Sequence, residues 1–392
     1  MTRLAADGEI ASLVDRLLLE QGRLDPLELL MAAEVLAYEH YEAWRMGKAP
    51  DLQGLLVVAP EDAADLLHRA GTYALAQRLS EMPLEHSAWG GKDLTLCVGT
   101  HAGFVRGCAK VYEPPVDRLQ LDLFQDSRGL LLEEEIRRTL AERHTDAARQ
   151  ALGRLMQHDP RRRHLHGFLR LIEVVDETGS APPKARLGEL QAIEPLAREL
   201  LGYRARDFLA HLWAGLAESL AGVPFSPHAS ELHSSFAWAR AGRWEAAGKS
   251  VEQVPGWGEH PSLLQTHAEA CYRSREWSEA RRDWMRLCWD FPTEAEDALG
   301  SVRFPDRGLA AQWNQFRDAD LKLETEDFPS WLLVTDPSAG AAVPPSAAPT
   351  DDREDAYRLL HRLVSGEDDV ALRRELAEVH PDLLKLYLSR RA

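Results

Sequence analysis

A short motif that occurs twice, 33 residues apart, constrains the fold more than any other feature of this sequence. Trp244 is followed three residues later by Ala247, and Trp277 is followed in the same way by Ala280. Each motif comes after one helical pattern and begins another. Self-similarity with a period of roughly 20 to 50 residues is typical of stacked supersecondary units. The motif therefore predicts helix pairs that pack one after another along the chain.

The residues of these units resemble tetratricopeptide repeats. In that family the second helix of each unit begins with an aromatic residue and carries an alanine three residues on, because only a small side chain lets the paired helices approach closely. A proline then ends the unit. The residues that carry the resemblance in the clearer unit are Leu264, Ala268, Cys271, Trp277, Ala280, Trp284, Leu287 and Pro292.

The resemblance covers residues 231–292 and, in a weaker unit without the aromatic residue, residues 130–160. A single repeat cannot bury its apolar face alone, so roughly three stacked units are needed for stability. The resemblance implies a curved helical solenoid whose concave face binds a peptide or a folded partner.

Composition extends this interpretation to an all-α fold class. Leu and Ala dominate the apolar residues, and such side chains favour helices over strands. We predict a tetratricopeptide-like α-solenoid over residues 126–335, preceded by a mainly helical region at 1–125 that contains a small β-hairpin at 94–112. A flexible linker rich in Pro, Ala and Ser at 336–351 leads to a helical tail at 352–392.

Two local patterns shape the prediction for the N-terminal region. Asp25 and Pro26 predict a helix start, with a capping Asp and a Pro at the first helical position, and the apolar stripe that follows continues to Gly47. Residues 94–98 and 109–112 are prone to form strands and flank a glycine-containing turn, which predicts the hairpin. A lone hairpin is only marginally stable, so it has to pack on helices.

The charge balance restricts the class of partner. The chain has 46 Lys and Arg against 63 Asp and Glu, a formal net charge of -17. Duplex-binding surfaces need clustered positive charge to displace counterions from phosphates, so we expect no nucleic-acid partner. An acidic chain favours instead a protein partner with a basic face.

Other features of the sequence predict a cytoplasmic protein without a membrane partner. No stretch reaches the ~18 consecutive apolar residues of a membrane helix, and residues 1–10 show no secretory signal. Four scattered cysteines do not form a disulfide framework in a chain of 392 residues, which agrees with a reducing compartment.

Two tryptophans are the predicted protein-binding residues. Most of the eleven tryptophans are expected in the core, since aromatic residues at helical spacing pack between helices. Trp257 and Trp289 fall outside the tetratricopeptide pattern. Because Trp is enriched in binding hot spots, we predict that these two residues contact the partner.

The region around His101 and Cys108 is the alternative functional site. Three glycines lie near these two residues, at Gly99, Gly103 and Gly107, and the pattern suggests a catalytic nucleophile or a phosphate-binding loop. A phosphate-binding loop leads into a helix that begins with Lys-Ser or Lys-Thr, and no such helix follows here. A turn that needs glycines explains the pattern better. The alternative function is an enzyme or regulatory protein with its site near His101 and Cys108, whose repeats recruit the substrate.

A further pair of residues has the spacing of metal ligands. His267 and Cys271 lie four residues apart on one helical face, but no second pair of Cys or His completes a four-ligand site. We therefore predict neither a metal nor a cofactor. The main functional hypothesis is a non-catalytic protein-protein interaction scaffold or adaptor in a cytoplasmic multiprotein assembly.

Overall fold

Helices account for nearly all regular structure in the computed structural model, which confirms the predicted all-α class. The structure describes residues 7–90, 94–115, 127–177, 181–319, 322–340, 343, 352–367 and 369–391. The chain divides into two compact units: unit 1 contains Met1–Leu216 and Arg240–Gly242, and unit 2 contains Ala217–Ala239 and Arg243–Ala392. Within the described part of the chain, no helix has the length and hydropathy needed to cross a membrane. The domain boundaries derived from the sequence stay predictions.

Unit 1 is built from short and medium helices that pack largely on their neighbours in sequence. The helices that lie or begin in it are α1 (Asp7–Gln21), α2 (Pro26–Ala32), α3 (Tyr38–Arg45), α4 (Pro60–Ala76), α5 (Ala102–Cys108), α6 (Ser127–Ala141), α7 (Thr145–His158), α8 (Leu165–Glu177), α9 (Pro183–Leu201) and α10 (Ala205–Ser219). Helix α6 packs on α7, α7 on α8 and α8 on α9, while α4 packs on α1 and α5. The N-terminal helices enclose a core that includes the fully buried Trp44 and Phe104.

The predicted helix start at Asp25 and Pro26 is confirmed, but the predicted continuous helix to Gly47 is wrong. The Asp25 carboxylate accepts a hydrogen bond from the Leu27 amide at 2.9 Å and caps α2. The chain then leaves the helical path at Glu34, whose φ of 57° lies in the left-handed region, and α3 begins only at Tyr38. Between α2 and α3, Leu36 forms an isolated antiparallel β-bridge with Leu56.

The small sheet exists, but one of its two strands is not where the hairpin was predicted. Strands β1 (Ser80–Pro83) and β2 (Lys110–Glu113) pair in antiparallel fashion, with Ser80 opposite Glu113. The predicted strand at 109–112 therefore corresponds to β2, whereas residues 94–98 contribute only an isolated bridge from Thr95. Most of the predicted connection forms α5 instead, because Phe104 and Cys108 share one buried helical face.

Unit 2 contains the region that resembles tetratricopeptide repeats. The helices that lie or begin in it are α11 (Ser234–Arg240), α12 (Trp244–Glu252), α13 (Pro261–Arg273), α14 (Trp277–Asp290), α15 (Pro292–Leu299), α16 (Arg307–Asp318), α17 (Phe328–Thr335), α18 (Pro337–Gly340), α19 (Asp352–Val364), α20 (Val370–Val379) and α21 (Pro381–Arg391). Helix α12 packs on α13, α13 on α14 and α14 on α15. The prediction of sequentially packed helix pairs is confirmed.

Helix α17 forms the centre of the C-terminal half of unit 2. Every residue from Phe328 to Val334 is buried, so the helix is enclosed on all sides. Helices α14, α16, α19 and α21 pack on it, and one apolar core runs from Leu264 to Tyr387. The C-terminal helices therefore share a core with α13 and α14. The predicted linker at 336–351 lies mostly outside the described residues, and its first part forms α18.

Candidate functional site

The structure gives His101 and Cys108 separate surroundings. His101 caps α5, where its Nδ1 accepts a hydrogen bond from the Phe104 amide at 3.2 Å. Cys108, at the other end of the helix, is fully buried, and its carbonyl oxygen lies 2.9 Å from His86 Nε2. Burial raises the pKa of the Cys108 thiol well above its usual range, which disfavours the thiolate that nucleophilic chemistry requires.

The two tryptophans predicted to bind a partner are half-buried, and both rings contact residues of unit 2. The centroid of the Trp257 ring lies 4.3 Å from the centroid of the His267 ring, and the two ring planes are inclined at 37°. The Trp289 ring lies 5.2 Å from the Tyr357 ring in an edge-to-face arrangement. Trp277 is more exposed than either of these two residues, with an exposed fraction of 43%. Partner binding by Trp257 and Trp289 stays a prediction.

A cleft of about 530 Å³ lies in unit 2. We call it the acidic cleft. It lies where the Thr325–Asp327 turn packs on α14 and α15. Its lining residues are Pro292, Thr293, Glu296, Phe316, Arg317, Ala319, Leu323, Glu324, Thr325 and Glu326.

A capped turn holds the glutamates of the acidic cleft in place. The Glu324 amide donates a hydrogen bond to Asp327 Oδ2 at 2.8 Å, and the Glu324 side chain accepts one in return from the turn. This reciprocal arrangement is a capping box, which satisfies two backbone donors that would otherwise lack partners. The turn thereby presents Glu324 and Glu326 on either side of Thr325 at the cleft.

The acidic cleft has more carboxylates than guanidinium groups around it. Glu296 Oε1 lies 2.5 Å from Arg317 Nη1, while Arg353 lies 2.6 Å from Glu324 and 3.5 Å from Glu326. The Glu324 side chain remains 71% exposed. The buried Phe316 also lines the cleft and supplies an apolar floor. The arrangement suits a ligand that has an apolar stem and a positive end.

A second groove of about 260 Å³ lies beside helix α13. Gln265, Thr266 and Glu269 of α13 line it, together with Trp244 and the indole of Trp284. Burial raises the pKa of Glu269, although Arg273 lies 3.4 Å away and opposes this shift. The groove is mixed in polarity and smaller than the acidic cleft.

Helix packing adds a third residue to the predicted pair His267 and Cys271. Asp283 of α14 joins them, and the ligand atoms of all three lie within 4.8 Å of one another. Among the described residues this is the one group of three or more such side chains with that geometry. The sequence reasoning missed Asp283, although an acid within the otherwise apolar stripe of Ala280 and Trp284 was a usable signal.

Unit 1 contains a separate network of buried charges. Arg206 Nη2 lies 2.7 Å from Glu28 Oε1, Arg206 Nε lies 3.3 Å from Asp207 Oδ1, and the guanidinium stacks 4.7 Å from the Tyr38 ring. Burial raises the pKa values of Glu28 and Asp207, while Arg206 opposes both shifts. Perturbed pKa values mark functional sites and structural ion networks alike. Because these charged groups pair with one another, we interpret the network as a structural one.

A buried histidine in unit 1 predicts a loss of stability at mildly acidic pH. Burial, followed by the charge of Arg143, lowers the pKa of His211 to about 3. The unfolded chain binds this proton near pH ~6.5, whereas the folded chain does not, so the free energy of unfolding falls as the pH drops below that value. We expect a loss of about 2 kcal/mol between pH 7 and pH 5 from this group.

Urea titrations of the parent and of His211→Gln over this pH range measure the effect. The variant should show a shallower pH dependence, whereas His68→Gln, at an exposed position on α4, should leave it unchanged. An identical slope for the parent and His211→Gln would contradict the assignment.

Comparisons with known proteins give no match. No family model matches this sequence, no curated protein is significantly similar to it, and no solved structure matches its fold.

Proposed function

We propose that this protein is a non-catalytic adaptor in a cytoplasmic multiprotein assembly, and that the acidic cleft of unit 2 binds a basic segment of its partner. The observation that carries the proposal is the composition of the cleft, whose lining combines Glu296, Glu324 and Glu326 with one arginine, Arg317, and with the apolar floor of Phe316. Lys and Arg side chains place an apolar stem against such a floor and keep a charged end at the rim. A segment that contains them matches both features.

The tetratricopeptide-like register supports the scaffold class. Leu264, Ala268, Ala280 and Leu287 are all buried, as the resemblance requires of the facing positions on α13 and α14. The small Ala280 of α14 shares one apolar core with Leu264 and Ala268 of α13. Arrays of such helix pairs present extended surfaces that bind other proteins.

Charge and thiol chemistry support the kind of partner and the compartment. The net charge of -17 attracts a basic partner at long range, and such attraction weakens as salt screens it. All four cysteines carry free thiols, which suits a reducing environment.

Reversing one charge in the acidic cleft should weaken partner binding. Glu296→Lys introduces a positive charge beside Arg317, and we expect the dissociation constant to rise by about 10-fold at low salt. The matched control is Asp297→Lys, which changes the net charge equally on the same helix but does not line the cleft. The tagged full-length chain and both variants are used to capture partners from the source cells at low and moderate salt.

In this capture experiment we expect one stoichiometric partner protein. The parent and Asp297→Lys should retain it, whereas Glu296→Lys should lose it. Cross-linking should then connect a Lys- or Arg-rich segment of that protein to Glu296 or its neighbours in the cleft. Equal retention by both variants would reject the acidic cleft as the binding site. A chain that emerges alone at both salt concentrations would count against the adaptor function itself.

A further inference from the structure

His267, Cys271 and Asp283 form a buried cluster between α13 and α14 of unit 2. Their exposed fractions are 6%, 5% and 3%, so all three polar groups are almost fully removed from solvent. His267 Nδ1 lies 3.6 Å from Cys271 Sγ and 2.6 Å from Asp283 Oδ2. A nitrogen, a sulfur and an oxygen donor therefore converge on one small volume.

One donor distance, from Nδ1 to Sγ, matches tetrahedral coordination of zinc. With Zn–S near ~2.3 Å and Zn–N near ~2.0 Å, a tetrahedral angle places sulfur and nitrogen about 3.5 Å apart. The observed Nδ1 to Sγ distance is 3.6 Å. The sulfur also lies 3.9 Å from His267 Nε2 and therefore over the face of the imidazole, so the Cys271 side chain has to turn toward Nδ1 to share an ion with it. The Nδ1 to Oδ2 distance of 2.6 Å is that of a hydrogen bond, and replacing its proton by a metal ion requires an opening of about 0.7 Å.

A fourth residue, Glu252, lies at the position that a supporting carboxylate takes in metal sites. Glu252, the last residue of α12, has its Oε1 3.4 Å from His267 Nε2, on the ring nitrogen that faces away from Asp283. Metal-binding histidines donate their second ring N–H to a carboxylate or carbonyl, which fixes the tautomer and orients the ring. The Trp257 ring covers the imidazole at 4.3 Å and restricts its rotation.

We propose that His267 Nδ1, Cys271 Sγ and Asp283 Oδ2 bind one Zn²⁺ ion, with Glu252 orienting the histidine from the other side of its ring. A water molecule takes the fourth position. The ion joins α13 to α14, and through Glu252 it also fixes the end of α12. The site is a structural clip for the helix pairs and does not depend on the adaptor function.

The alternative occupant of the cluster is a proton. Burial lowers the pKa of His267, but its hydrogen bonds to Asp283 and Cys271 outweigh burial and raise that pKa to about 10. In this state His267 and Asp283 form a buried ion pair, and the Cys271 sulfur interacts with the imidazole without binding a metal ion. The two occupants differ in the role of the Cys271 sulfur, which the experiment therefore measures.

Cobalt is a suitable probe, because Co²⁺ accepts tetrahedral sites and reports thiolate ligands by absorption. The full-length chain is purified in the presence of a chelator, freed of it and titrated with Co²⁺. We expect saturation at one equivalent, with sulfur-to-cobalt charge transfer in the near ultraviolet and strong visible bands, and displacement by Zn²⁺. Zn²⁺ should also raise the melting temperature of the parent.

Three variants test the sulfur ligand and the supporting carboxylate. Cys271→Ala should lose the charge-transfer band and the stabilisation by Zn²⁺, whereas Cys288→Ala, which removes another buried thiol from α14, should keep both. Glu252→Gln should keep the band and weaken affinity by about 10-fold. Far-ultraviolet circular dichroism verifies folding, and Cys271→Ser replaces Cys271→Ala if the latter is unfolded.

The absence of a thiolate band in the parent would overturn the proposal and leave the proton as the occupant. Persistence of the band in Cys271→Ala would equally overturn it. Stabilisation by Zn²⁺ of the parent and Cys271→Ala to the same extent would place the ion elsewhere in the chain. None of these results depends on whether the acidic cleft binds a partner.

Discussion

Ala280→Arg is expected to unfold unit 2 or to lower its free energy of unfolding by at least about 3 kcal/mol. Ala280 is 1% exposed, and it belongs to the same apolar core as Leu264 and Ala268 of α13. An arginine has no room there, and its guanidinium would lose hydration without gaining a partner. The loss should appear as a lower denaturation midpoint in guanidinium chloride, followed by far-ultraviolet circular dichroism.

A matched substitution separates the effect of position from that of residue type. Ser278→Arg adds the same side chain to an exposed position of the same helix, and we expect a change within about 0.5 kcal/mol. If Ala280→Arg is as stable as Ser278→Arg, the helix register that carries the tetratricopeptide resemblance is wrong.

The features that the sequence predicts correctly are those determined within one or two helices. The periodic positions Leu264, Ala268 and Leu287 are buried because a helix places residues three and four apart on the same face. The start of α2 follows from Asp25 and Pro26, whose capping geometry needs only neighbouring residues. Local rules were sufficient in both cases.

The features that the sequence does not predict depend on contacts between distant segments. Strand β1 pairs Ser80 with Glu113, so a periodicity search near residue 94 cannot identify it. The break after α2 requires a positive φ at Glu34, a residue type that rarely marks such a position. In each case a tertiary interaction overrides the local pattern.

The candidate sites show the same division. His267 and Cys271 are recognisable as a pair from their spacing on one helix. Asp283 and Glu252 join them only through the packing of α13 with α14 and α12. The acidic cleft likewise combines Glu296 with glutamates from a later turn. Both groups of side chains depend on which helices pack against each other. The repeat motif alone does not specify which helices are neighbours.

Arg143→Met is expected to lower the free energy of unfolding of unit 1 by about 3–5 kcal/mol. The Arg143 guanidinium pairs with Glu42, whose side chain is 2% exposed, and it also stacks 4.9 Å from the Trp89 ring. Removing the cation leaves the buried carboxylate without its guanidinium partner, which costs more than the pair itself contributes. Urea denaturation of the parent and the variant measures the loss.

A double-mutant cycle tests whether this ion pair is the cause. Glu42→Leu combined with Arg143→Met removes both charges, and we expect the double variant to recover at least about 2 kcal/mol relative to Arg143→Met alone. Simple addition of the two single losses would contradict the assignment. Arg143→Met should also raise the pKa of His211, because the charge of Arg143 contributes to its lowering, and the acid sensitivity of unit 1 should decrease in the same variant.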